Sequence, residues 1–167
     1  DEPFALVSGF YSPHSPWVVP QRFLDRYDPD DLTIPEYPPE LEERRQELAG
    51  ETTGEDPTRA TYSEAELRRA WHGYYAMVSE VDHHVGRILD RLGELGLAED
   101  TIVVFTSDHG EFLGEGLRYG KSWPAPDSVS RVPFVVRWPD GVTDPGRTVH
   151  DVVEAVDLLP TLLECAG

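Results

Sequence analysis

Between residues 63 and 96 the chain carries a pattern that fits one local structure. Ser63 and Glu66 stand in the S-x-x-E spacing of a capping box, in which each side chain satisfies a backbone N–H left unpaired by the first helical turn. Leu67, Ala70, Tyr74, Met77, Val81, Val85, Ile88, Leu92 and Leu95 follow at intervals of three and four, which is one face of a long helix, and Gly96 is its stop. A helix with such a stripe needs a layer to bury it, and the apolar runs around it offer one. Phe4–Phe10 (FALVSGF), Thr101–Thr106 (TIVVFT) and Val132–Arg137 (VPFVVR) read as buried strands. Asp157–Ala166 reads as a short apolar helix, with Asp157 as its N-cap and Pro160 tolerated in its first turn. Strand, long helix, strand, strand, helix predicts an α/β fold. The sheet is expected to be largely parallel and flanked by helices, with the long helix as the crossover that parallel strands need.

The stretches between these elements are loops by composition. Pro13, Pro16 and Pro20 exclude helix interior over 11–21. A helical turn is expected at 21–27, a Pro/Asp loop at 28–39, a short charged helix at 40–49 ended by Gly50, and a polar, turn-rich stretch at 51–61. Residues 28–61 as a whole read as a surface excursion from one domain spanning 1–167.

Charge excludes several partners. With 32 acidic against 14 basic residues the formal net charge is −18, which opposes binding to nucleic-acid phosphates and to anionic lipid. The acidic residues are dispersed, as on a solvated surface. No apolar run is long enough to span a bilayer and no basic and apolar leader opens the chain, so a soluble protein is expected, with the cytoplasm favoured. Cys165 is the one cysteine, which excludes an internal disulfide, a CxxC pair and a Cys-rich zinc site; its apolar neighbours place it in a core. Oligomeric state is not written in any of these patterns.

Three short motifs carry chemistry. The run TIVVFT ends in Ser107-Asp108-His109-Gly110, and ligands of open α/β sheets bind beyond the carboxyl ends of strands. Asp108 offers an oxygen and His109 a nitrogen to a divalent cation, although Asp108 at a strand-to-helix turn also suits an N-cap. Gly110 lets the backbone turn away without steric cost. Pro13-His14-Ser15-Pro16 holds an imidazole in a stiff loop, where it serves either a ligand or nearby backbone groups. Lys121 follows Gly120 in a Gly/aromatic segment, as a site cation or as an ordinary surface charge.

Taken in order, PF-x(5)-F-x(2)-PH-x-P, YYAMVSEVDHHVGRIL, TIVVFTSDHGEFLGEGL with a following GK, RVPFVVRWP and VDLLPTLLE resemble the sulfatase family of the alkaline-phosphatase-like superfamily, from about residue 3 to 166. The resemblance implies that Asp108 and His109 are metal ligands, usually for calcium. It implies that Lys121 contacts the sulfate and the leaving oxygen, and that His14 contacts the same group and helps protonate the leaving alcohol. Cations around the oxygens and an acid at the leaving group are what a sulfate monoester requires. It implies a small-molecule or carbohydrate sulfate ester as partner.

The chain also departs from the family pattern. The family nucleophile is a formylglycine made within a C/S-x-P-S-R motif, and no such motif occurs here; Ser122-Trp123-Pro124 begins like one but continues with Ala125 and Pro126. The early metal-binding Asp pair is missing too, since Asp30-Asp31 lie in a Pro-rich loop without a strand before them. The implied protein is therefore the C-terminal part of the catalytic domain, incomplete at its N-terminal side: a sulfuric-ester hydrolase fragment, inactive alone. The same residues admit a phosphodiesterase or phosphonate monoester hydrolase using manganese or zinc, and a non-catalytic remnant that binds an anion or a partner. Other polar residues read as structural: His83 and His84 are adjacent on the helix and make a poor chelate, His72 reads as packing or surface, Arg131 as paired with an acidic neighbour, and Asp127 as orienting Lys121 or Arg131. Trp17, Trp123 and Trp138 read as core or rim of the site mouth.

Overall fold

The computed structural model describes residues 2–34, 36, 38–41, 43, 62–121 and 125–167. The expected helix at 40–49 lies mostly outside these residues. Of the expected 51–61 stretch, all lies outside them. The elements are α1 (Gln21–Leu24), α2 (Glu64–Glu94), β1 (Val103–Thr106), β2 (Phe112–Leu113), β3 (Tyr119–Gly120), α3 (Asp127–Ser130), β4 (Phe134–Arg137) and α4 (Leu158–Ala166).

The long helix forms where its sequence pattern places it. The Ser63 hydroxyl accepts from the Glu66 N–H at 3.3 Å, and a Glu66 carboxylate oxygen accepts from the Ser63 N–H at 2.8 Å, so the capping box is complete. At the other end Gly96 adopts φ +70°, the Gly96 N–H reaches the Gly93 carbonyl at 3.0 Å and the Leu97 N–H reaches the Leu92 carbonyl at 2.9 Å. That is a Schellman closure, and glycine supplies its left-handed residue at no steric cost.

The core gathers along the N-terminal half of α2. Leu67, Ala76 and Met77 are buried against Phe23 of α1, Phe112 and Leu113 of β2, Tyr119 of β3 and Val129 of α3. Residues 17–32 run alongside the helix and are tied to it. A Cβ on Gly73 would stand 2.8 Å from the Cβ of Trp17, so the missing side chain is what lets that tryptophan lie on the helix. The His72 Nε2–H donates to the Leu24 carbonyl at 2.9 Å, the Tyr27 hydroxyl and Ser79 share a 2.6 Å bond, and Arg68 donates to the Pro29 carbonyl at 2.9 Å.

The strands pair differently from expectation. Among the described residues there are two two-stranded sheets, β1 with β4 and β2 with β3, and both are antiparallel. The chain is mixed helix and strand, as an α/β class requires, but this portion contains no parallel pair. Phe4–Phe10, expected as a strand, forms neither strand nor helix, and Val7 is 95% exposed. Apolar composition reports that a segment suits burial on both faces; it does not choose the neighbour. With Phe4–Phe10 outside the ladder, α2 does not act as a crossover here. The β1–β4 ribbon packs its Val104, Phe134 and Val136 side toward α4 across an apolar cavity that Cys165 also lines. Phe105 and Val135 stand opposite one another on the other face and are exposed. Asp157 stands at the N-cap of α4 as expected, but its side chain caps none of that helix's N–H groups: its Oδ2 accepts from the Glu154 N–H at 2.8 Å and closes the preceding turn, while its own backbone is already helical.

Ser63→Ala is expected to cost about 1 kcal/mol, the usual worth of a lost N-cap, read as a lower thermal midpoint. The Ser63 hydroxyl and N–H hold the Glu66 carboxyl below the usual carboxylate range. A depressed folded pKa contributes stability above the ordinary glutamate value and loses it as pH falls through the folded one. The gap between wild type and variant should therefore narrow on acidification; a gap that widens contradicts the capping box.

Candidate active site

β1 delivers the chain to Ser107-Asp108-His109-Gly110, and α3 receives it there. The Gly110 N–H donates to the Val129 carbonyl at 2.7 Å and the Glu111 N–H to the Ser128 carbonyl at 3.1 Å. A Cβ at Gly110 would overlap the Ser128 carbonyl oxygen. The glycine is thus required by a close backbone approach, a stronger reason than the turn freedom expected from sequence.

Within this turn two donors stand side by side. The Asp108 Oδ2 lies 3.4 Å from the His109 Nε2, with the carboxylate side chain 83% and the imidazole 34% exposed. The His109 Nδ1 faces the Gly110 carbonyl at 2.9 Å. A carbonyl only accepts, so Nδ1 carries a proton on that side, and Nε2 is the ring atom that stands beside the carboxylate. The slight burial of Asp108 opposes its ionisation, but His109, the backbone N–H groups of His109 and of Asp108 itself, and the Ser107 hydroxyl outweigh it and hold the carboxyl below the usual range. Asp108 is not an N-cap: α3 begins at Asp127 and no helix starts at the turn.

The donor set fits one edge of a divalent cation. Metal–oxygen and metal–nitrogen bonds of about 2.0–2.4 Å meeting near a right angle span about 2.8–3.4 Å, and the 3.4 Å found here is the upper end of that range. Among the described residues no third His, Cys, Asp or Glu joins the pair.

Lys121 follows directly on a hairpin that sequence reasoning missed. β2 pairs with β3 in the register Phe112↔Gly120 and Leu113↔Tyr119, so the hairpin begins two residues after Gly110 and ends one residue before Lys121. The signal was present in the glycines: Gly114 and Gly116 take φ of 110° and 59° and bend the chain between the two short strands, and Gly120, at 73°, ends the second. Trp71 of α2 donates its indole N–H to the Leu113 carbonyl at 2.7 Å and so holds the hairpin on the helix. Lys121 itself is exposed.

His14 sits in a loop whose Ser12–Pro13 and Ser15–Pro16 bonds are both cis. Its Nδ1 faces the Ser15 carbonyl at 2.7 Å, its ring lies 4.7 Å from that of Tyr11, and the Tyr11 hydroxyl donates to the same carbonyl at 3.0 Å. The tautomer argument applies again and leaves Nε2 as the outward atom. No hydrogen bond or ion pair joins His14 to Asp108, His109 or Lys121 among the described residues. The loop and the hairpin meet across a pocket of about 290 Å³ on α2, whose lining includes Trp17, Leu113 and Tyr119.

The remaining polar residues are structural. His83 and His84 pack against Phe23 and Phe10, with ring centroids 5.8 Å and 6.4 Å apart. Arg131 approaches Asp127 to 3.9 Å with both side chains exposed. Trp123 lies outside the described residues.

Comparison with known proteins identifies the family. The family described as Sulfatase matches residues 1–167. An arylsulfatase of Clostridium perfringens is 32% identical over 167 residues, covering 99% of this chain and 34% of its own length. An ulvan-active sulfatase of Formosa agariphila is 35% identical over 165 residues, covering 98% of this chain and 28% of its own. The crystal structure of a phosphonate monoester hydrolase from Agrobacterium radiobacter superposes with a TM-score of 0.77 at 29% identity, over 93% of this chain and 33% of that one. The chain thus spans about a third of the length of the curated relatives it matches. Family match, identity across nearly the whole chain and a shared fold lead to one assignment: the chain belongs to the sulfatase family, with the alkaline-phosphatase-like fold.

Proposed function

We propose that these residues form the leaving-group side of a sulfuric-ester hydrolase site, whose nucleophile lies outside the 167 residues. The observation that carries this reading is the 3.4 Å pairing of Asp108 and His109 on a turn that opens directly into the hairpin bearing Lys121. Asp108 and His109 hold a divalent cation, calcium by family resemblance, and a bound cation polarises the oxygens of a tetrahedral ester. The Lys121 ammonium offsets negative charge as it develops on those oxygens. His14 has its Nδ1–H fixed on the Ser15 carbonyl, so it serves as the acid in its imidazolium form, whose Nε2–H passes to the leaving oxygen and leaves the neutral Nδ1–H ring.

Attack on sulfur needs a group this sequence does not supply. No C/S-x-P-S-R motif occurs in it, and Cys165 lines the apolar cavity under α4. The family's formylglycine belongs to such a motif. Similarity to an arylsulfatase and an ulvan-active sulfatase supports a small-molecule or carbohydrate sulfate ester as substrate. A second reading has its own support in the phosphonate monoester hydrolase superposition: a phosphoryl or phosphonyl ester has the same tetrahedral demand, and manganese or zinc then takes the place of calcium.

Three outcomes are expected. The purified chain should not turn over 4-nitrophenyl sulfate with or without calcium; metal-dependent hydrolysis abolished by Lys121→Ala would contradict the missing-nucleophile reading. Calcium should bind weakly, because the cation prefers about six to eight oxygens and this pair offers one carboxylate and one imidazole. Calorimetric titration should show that binding vanish in Asp108→Ala and His109→Ala and weaken as pH falls. Protons compete with the cation for both donor atoms. Sub-micromolar affinity lost on Asp108→Ala would mean further ligands exist. Gly110→Ala must push α3 away from the turn, at about 1–3 kcal/mol of stability, and should weaken calcium binding while Lys121→Ala leaves it unchanged.

A further inference from the structure

We infer that Trp71 is a positioning residue: its indole N–H sets where the hairpin that leads to Lys121 stands relative to the Asp108–His109 turn, and so makes the ammonium and the cation ligands act as one site. The inference rests on the ester-hydrolase reading above for what those groups bind.

The hairpin leaves an opening for such a tie. The Gly114 N–H reaches the Arg118 carbonyl at 2.9 Å, so residues 114 and 118 form a hydrogen-bonded pair and the adjoining pair, Leu113↔Tyr119, is a non-hydrogen-bonded one. The backbone N–H and carbonyl of Leu113 therefore point away from β3. Leu113 is buried, where its polar backbone groups require partners other than bulk water. Glu115 Oε2 accepts from the Leu113 N–H at 2.6 Å, and the Trp71 indole N–H donates to the Leu113 carbonyl at 2.7 Å. At this residue two side chains take the place of a third strand.

Of the two partners, only Trp71 comes from outside the hairpin. Phe112, Leu113 and Tyr119 are buried, but apolar burial has no direction and lets a hairpin of two-residue strands tilt or slide. A hydrogen bond fixes both distance and angle. The donor is itself held in place. The Trp71 ring lies 5.9 Å from that of Tyr75, Tyr75 meets Tyr27 edge to face at 5.5 Å, and the Tyr27 hydroxyl shares a 2.6 Å bond with Ser79. A file of three rings across α2 thus presets the indole.

Chain position carries this tie into the site. β3 ends one residue before Lys121, so a shift of the hairpin passes directly to the lysine. The Asp108–His109 turn does not follow, because the Gly110 and Glu111 N–H groups bind it to the Val129 and Ser128 carbonyls of α3. Loss of the Trp71 donor therefore separates the ammonium from the cation ligands while leaving each able to bind its own partner. Groups that act jointly on one ester are sensitive to that separation.

The test titrates the purified chain with calcium chloride and methyl sulfate, an ester whose calcium salt stays dissolved, and follows both by NMR. In the wild type, calcium should raise the affinity for methyl sulfate at least about fivefold, and methyl sulfate should raise calcium affinity by the same factor. Lys121→Ala should abolish that mutual gain. Trp71→Phe keeps a ring and removes the donor; it should bind calcium as the wild type does, with the mutual gain reduced below about twofold. A chain with 3-benzothienylalanine at position 71, which keeps the bicyclic shape of tryptophan and lacks the N–H, should behave in the same way, and it keeps the test valid if the phenylalanine variant unfolds. A mutual gain that survives in the benzothienyl chain, or that disappears there only together with calcium binding, overturns the positioning role and leaves the ester-hydrolase reading standing. No mutual gain in the wild type overturns that reading, and the inference with it.

Discussion

The hydrogen bond from the Trp71 indole N–H to the Leu113 carbonyl, at 2.7 Å, is the joint on which the functional end of this chain depends. Leu113 belongs to a strand of two residues, too short to hold a hairpin by its ladder alone. Fastened to a helix of 31 residues, the hairpin acquires a fixed place. The Asp108–Gly110 turn on one side of it and Lys121 on the other are then located by α2. The same helix carries Trp17 against Gly73, so the His14 loop is referred to the same scaffold. Residues far apart in sequence share one rigid reference, which a site needs if its groups are to act together.

Legibility of the sequence followed the strength of local rules. The Ser63–Glu66 box and the apolar stripe specify α2 almost residue for residue, because capping and helical period are satisfied within the segment itself. Motif order carried the family assignment, and Asp108 and His109 do stand side by side. Strand direction was not legible. Val103–Thr106 and Phe134–Arg137 are apolar on both faces, which fits a buried parallel strand as well as the antiparallel ribbon that forms. Phe4–Phe10 shows the same ambiguity: β-forming composition suits a strand, while pairing depends on what lies alongside. The β2–β3 hairpin was missed because two-residue strands leave no periodicity; only its glycines marked it.

Gly110 illustrates how one residue type answers two demands. Sequence logic places glycine after Asp-His to free the turn. The structure gives the sharper cause, that α3 approaches so closely that no Cβ fits. The turn is thereby locked to α3 by two backbone hydrogen bonds, and the orientation of the Asp108–His109 pair is inherited from the backbone instead of from side-chain packing. A pair oriented in this way keeps its geometry although Asp108 is largely exposed.

The uncovered face of the β1–β4 ribbon, with Phe105 and Val135 toward solvent, has a colloidal consequence. An apolar, open-edged ribbon is a template for pairing with another copy. What opposes association is long-range: a net charge of −18 on 167 residues makes each molecule repel the next. That protection is only as deep as the ionic atmosphere, about 10 Å at 0.1 M salt and about 3 Å at 1 M. It also vanishes near the isoelectric point of about 4.5. In the 167-residue chain taken alone, charge and not packing opposes that pairing, so concentrated salt or mild acid would weaken the opposition.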